Sequence, residues 1–119
     1  MKLKECYEAM NGDYDYMMER LPREASIIKY LRRFAENTEY AELKAAYTEK
    51  NYRRIFELSH DLKGMAANLS LPGFQKAMSD ICEQTRDREP DAGFEALLDT
   101  AEAEYNKLIE AISQLEDAQ

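Results

Sequence analysis

The chain of 119 residues has no tryptophan, one histidine, two cysteines, three prolines and four glycines. Each scarcity excludes something. Cys6 and Cys82 stand far apart without C-x-x-C spacing, and with His60 they are too few for a zinc site of the usual kind, so no metal is expected. Both cysteines fall on apolar helix positions and read as small buried hydrophobes in a reducing compartment. No apolar run approaches the roughly 20 residues that span a bilayer. The start, Met1-Lys2-Leu3-Lys4-Glu5, puts charge where a signal peptide needs an apolar stretch, so the expected location is the cytoplasm. Basic residues are scarce at one end: residues 91–119 hold one against eight acidic, while residues 51–90 hold six of each. With a net charge of −8 and no basic stripe to neutralise phosphates, the chain is expected to bind neither nucleic acid nor anionic membrane.

What is present is helical periodicity. Leu3, Tyr7, Met10, Tyr14, Met17 and Leu21 recur at helical intervals, interrupted by the turn pair Asn11-Gly12, which predicts short helices to about Met10 and from Asp13 to Arg20. After Leu21-Pro22, a third helix is expected from Arg23 to Glu36, with Ile27, Ile28, Leu31 and Phe34 inward. Asn37-Thr38 reads as a stop followed by an N-cap, and the fourth helix carries Tyr40, Leu43, Ala46 and Tyr47. The fifth, from Tyr52 to about Leu69, is the best defined, with Ile55, Ser59, Leu62, Ala66 and Leu69 in one stripe. Ser70-Leu71-Pro72-Gly73 ends it. A sixth helix then runs to about Arg86, and after the Arg88–Asp91 loop a last one shows Phe94, Ala101, Leu108 and Ile112 at near-heptad spacing. Nothing alternates long enough to be a strand. The expectation is an all-α chain: an antiparallel four-helix bundle over about 23–116, preceded by short N-terminal helices over 1–21, in a single domain of residues 1–119.

His60 lies roughly 160° around the helix from the centre of the buried stripe, at about 100° per residue. It faces away from the core. Gly64, one turn on, sits in a helix interior, where glycine costs about 1 kcal/mol relative to alanine. Its missing side chain leaves room beside the ring. Ala67 continues the low surface, Phe56 adds an apolar group one turn earlier, and Lys63 brings an ammonium within reach of anything attached to the imidazole. A neutral imidazole nitrogen is a competent nucleophile toward phosphorus, and a nearby lysine balances charge on phosphoryl oxygens. There is no Gly-rich phosphate loop and no Walker motif, so no cofactor is expected and no means of taking phosphate from ATP is visible.

The run Ser59-His60-Asp61-Leu62-Lys63-Gly64-Met65-Ala66-Ala67-Asn68-Leu69 resembles the signature of histidine-containing phosphotransfer (HPt) domains, in which the phosphorylated histidine sits in an H-x-L-K-G-x-x-x-N-L-like run. The likeness extends over roughly residues 23–110. It implies an HPt-like bundle and a phosphocarrier rather than an enzyme. His60 would accept a phosphoryl group from a receiver-domain aspartyl phosphate and pass it to another response regulator. Lys63 would steady the group, and Gly64 would permit close approach. Phe56, Ala67, Gln75 and Arg86 would meet the partner, a response-regulator receiver domain or hybrid sensor kinase. Asn68 would have a structural capping role.

The chain departs from the family in two places. Cys82 stands where many members place Gln or Glu to orient the histidine, and Ser70-Leu71 replaces the commoner Gly, which suggests a different turn. The rival readings are a receiver-binding adaptor that carries no phosphate, a response-regulator phosphatase, and a structural bundle. The start at Met1 and the polar C-terminal end favour a free-standing protein. One-partner-at-a-time docking suggests a monomer.

Overall fold

A computed structural model describes residues 1–118; Gln119, the last residue of the expected domain, lies outside them. Seven helices make up the described chain: α1 (Leu3–Ala9), α2 (Tyr14–Arg20), α3 (Glu24–Glu36), α4 (Glu39–Thr48), α5 (Tyr52–Asn68), α6 (Pro72–Thr85) and α7 (Phe94–Ser113). They form an elongated helical bundle of 47 × 23 × 19 Å, with no strand among the described residues. None of these helices is long and apolar enough to cross a membrane.

The stripes read from the sequence are the core. Ile55, Leu58, Ser59, Leu62 and Ala66 of α5 are buried against Phe74, Ala77, Met78 and Ile81 of α6, its principal neighbour. Helix α7 packs along α6 and α3, burying Phe94, Ala101, Leu108, Ala111 and Ile112. Phe34, Tyr40, Phe74 and Tyr105 join three helices with α7 through one aromatic cluster, in which the Tyr40 and Tyr105 rings stack at 4.1 Å.

Helix ends account for most of the differences from the expected boundaries. Thr38 does not cap α4 with its side chain; the Asn37 amide oxygen does, accepting from the Glu39 backbone N–H at 2.7 Å. Pro72 and Gly73 are not loop residues but the first turn of α6. Proline fits there because its missing N–H has no partner in a first turn anyway.

The turn between α5 and α6 is made by Ser70 at φ 56°, the left-handed conformation that glycine adopts most easily. Leu71 N–H donates to the Ala66 carbonyl at 2.9 Å and Ser70 N–H to Ala67 at 3.2 Å. These two bonds close a Schellman motif. Asn11 (φ 54°) and Lys50 (φ 56°) end α1 and α4 with the same pair of bonds. Ser70 therefore builds the turn that glycine would build.

The N-terminal helices pack under this turn. Leu3, Cys6, Tyr7, Met10 and Met17 are buried, and desolvation pushes the Cys6 thiol up to about 11. Tyr7 Oη donates to the Leu69 carbonyl (2.9 Å), Arg20 to the Asn68 carbonyl (3.3 Å), and Asp13 N–H to the Ser70 carbonyl (3.3 Å). A Cβ on Gly12 would lie 2.6 Å from the Tyr7 ring and 2.7 Å from the Ser70 carbonyl oxygen, so only glycine fits that turn.

Candidate functional site

Helix α5 presents His60 to solvent at mid-length because the core stripe fixes its rotation. Asn51 starts the helix, its side chain accepting from Arg54 N–H at 3.1 Å, and Ser59, buried one residue before the histidine, donates to the Phe56 carbonyl at 3.1 Å. On the outward face, His60 and Gly64 are exposed while Phe56, Lys63 and Ala67 are half-buried. A Cβ on Gly64 would meet nothing within 4 Å. The sequence suggested that a side chain there would crowd the His60 ring, but an alanine would not.

The half-buried Phe56 ring lies 6.3 Å from the imidazole, centroid to centroid. Arg86, the C-terminal cap of α6, places its guanidinium 5.0 Å from the Phe56 centroid, and Arg53, one turn back on α5, stands at 6.0 Å. Cation–π attraction therefore gathers basic groups around the aromatic ring beside the histidine. Arg86 is held by Glu83, whose Oε1 accepts from its Nη2 at 3.0 Å and its Nε at 3.3 Å. This bond holds the Glu83 carboxyl below the usual carboxylate range, with the Lys63 charge adding to the effect. Arg53 reaches Asp87 at 3.5 Å.

The structure thus brings His60, Phe56, Lys63, Gly64 and Arg86 into one neighbourhood. Gln75 belongs to the opposite end of the face: eleven positions before Arg86, it lies roughly 16 Å along α6, toward Ala67. Cys82 is fully buried in the core, so its thiol is not offered to the solvent-facing ring. No hydrogen bond to the imidazole is made among the described residues. The Asn68 side chain is exposed and caps nothing among them; the carbonyls at this end of α5 accept instead from Tyr7 and Arg20 of the N-terminal helices.

Two features went unread in the sequence. Glu83 and Arg53 border the site, although their helical phase relative to Arg86 and His60 signals it. A groove of ≈ 550 Å³ also runs between α2, α3 and α5, lined by Met17, Leu21, Tyr30, Phe34 and Met65 with Arg20 and Arg33 at its edge. It could not be foreseen, since its lining is drawn from three helices and the linker after α2.

The Hpt domain family model matches residues 29–118, which includes every one of these α5 and α6 residues. The chain belongs to the Hpt domain family. Members of that family are phosphocarriers of two-component phosphorelays and interact with receiver domains and histidine kinases, so the chain has a phosphotransfer role in two-component signalling. Comparison with curated proteins and with solved structures gives no match.

Proposed function

We propose that His60 is the residue that carries the phosphoryl group, accepting it from the aspartyl phosphate of a receiver domain and passing it to a second receiver. The observation that carries this reading is the combination at mid-α5: the only histidine, solvent-facing, with an open glycine one turn on and basic groups gathered around the adjoining Phe56 ring. In the transfer, a neutral imidazole nitrogen attacks phosphorus, the P–O bond to the aspartate breaks, and its electron pair remains on the carboxylate. The proton on the other ring nitrogen stays there or passes to water. Lys63 balances charge on the phosphoryl oxygens. The receiver docks over Phe56, Gly64 and Ala67 on α5 and over Arg86 and Gln75 on α6, one partner at a time, with the chain as a cytoplasmic monomer forming one domain.

The chain supplies nucleophile and cations, and the partner supplies the leaving carboxylate. Accordingly it needs no cofactor of its own for this step. The experiment is transfer from a phosphorylated receiver domain to the wild-type chain and to His60→Gln. An acid-labile, alkali-stable label on the wild type alone supports the reading. Binding without label supports an adaptor, and loss of receiver phosphate without label supports a phosphatase.

A further inference from the structure

The two arginines beside the Phe56 ring are not free. Arg86, over the Phe56 ring at 5.0 Å, has two of its nitrogens on Oε1 of Glu83, and Arg53 faces Asp87. Glu83 is exposed, and its bond to Arg86 dominates its surroundings, with the Lys63 charge a lesser influence. A single surface carboxylate is therefore set against Arg86, a cation that a phosphoryl group on His60 would use. That arrangement matters because a phosphohistidine brings nearly two negative charges to a face where, within the roughly 8 Å screening length of physiological salt, charges still act on one another.

We propose that Glu83 is a positioning residue that sets how tightly the chain holds its phosphoryl group, by competing with that group for Arg86. The proposal rests on His60 being the carrier. In the unloaded chain Glu83 keeps Arg86 folded across Phe56. When the N–P bond forms on His60 and the aspartate–phosphorus bond breaks, the incoming dianion finds Arg86 already engaged and a carboxylate nearby. The loaded state is raised in free energy, and transfer onward to an aspartate is correspondingly favoured. Removing the carboxylate frees Arg86 for the phosphoryl oxygens and moves the equilibrium back toward the loaded carrier.

The test uses phosphoramidate, a small phosphoryl donor to histidine, to load the full chain, followed by equilibration with a receiver domain. The wild type, Glu83→Gln and Glu83→Lys are compared, and the phosphohistidine fraction is measured in low and in 1 M salt. The expected result is that Glu83→Gln shifts the equilibrium about threefold toward phosphohistidine, the scale of an exposed charge pair. Glu83→Lys should shift it further in the same direction, both shifts should shrink in high salt, and melting temperatures should stay unchanged. An equilibrium identical in all three chains, or a shift that persists in 1 M salt, overturns the proposal while leaving His60 as carrier. A wild-type chain that takes no label overturns the carrier reading and this proposal together.

Discussion

The hydroxyl of Tyr7 donates to the carbonyl of Leu69 at 2.9 Å, joining residues 62 positions apart in the sequence. The bond is buried, and it satisfies a carbonyl at the end of the helix that carries His60. Tyr7→Phe leaves that carbonyl without its partner at almost constant volume and should destabilise the chain by about 1–2 kcal/mol. Urea unfolding monitored by circular dichroism measures this. His60 lies more than two helical turns from Leu69, so phosphoryl transfer in the folded variant should match that of the wild type.

Ser70 holds a left-handed backbone that costs a residue with a Cβ about 1 kcal/mol. Ser70→Gly should therefore raise stability by about that amount, offset in part by the greater freedom of glycine in the unfolded chain. The same denaturation series measures it. A loss of stability would mean that the Ser70 side chain contributes more than its backbone strain costs.

Gly64 separates stability from function. In a helix interior with open space around its Cα, Gly64→Ala should stabilise the chain by about 1 kcal/mol. A receiver brought close to His60 meets the added methyl, and transfer should slow about tenfold if docking in the transition state loses about 1.4 kcal/mol. A melt and a transfer time course on the same sample test both halves. Faster or unchanged transfer would remove Gly64 from the docking face.

Glu39 and Glu102, on α4 and α7, should give opposite pH dependences. Burial holds the Glu39 carboxyl above the ordinary glutamate range, the Asp61 carboxylate adds to the rise, the Asn37 amide opposes it, and its Oε2 is buried without a hydrogen-bond partner. A carboxyl raised in the folded state contributes stability below its unfolded pKa and loses it as pH rises through the folded value. Glu39→Gln should thus melt higher than wild type at neutral pH, with the gain vanishing below about pH 4. Glu102 accepts from Tyr40 Oη, which lowers its pKa, with Lys44 at 3.1 Å adding to the effect. Its contribution is present above the unfolded pKa and is lost as pH falls through the folded value, so Glu102→Gln should melt lower at neutral pH and converge with wild type in acid. Calorimetric scans across pH distinguish the two slopes.

The helices and their buried faces were legible because apolar side chains repeat at the period of the helix, and α5 shows this most clearly: Ile55, Ser59, Leu62 and Ala66 are buried as expected. The outward placement of His60 followed from the same phase. What a helix end does was harder to read, because capping depends on backbone angles that several residue types accept. Asn37 rather than Thr38 caps α4, and Pro72-Gly73, a turn signal in isolation, opens α6. The setting of the site was legible only in part. Arg86 lies over Phe56 because α5 and α6 dock at one particular offset, which no local pattern states. Asn68 was given a capping role, whereas the carbonyls at that end of α5 accept from Tyr7 and Arg20, residues whose relation to α5 exists only once the chain has folded back on itself.

The recurrent family pattern begins at residue 29, in the middle of α3, yet the core does not begin there. Leu3, Cys6, Tyr7, Met10 and Met17 are each at most 2% exposed, and Ile27 and Ile28 precede the match as well. A chain trimmed to the pattern would open a wound on the underside of the bundle, with the end of α5 stripped of three hydrogen-bond partners. What relatives share and what must be present for this one to hold its shape are therefore different lengths of polypeptide. The segment before residue 29 is then a foundation on which the bundle's underside rests.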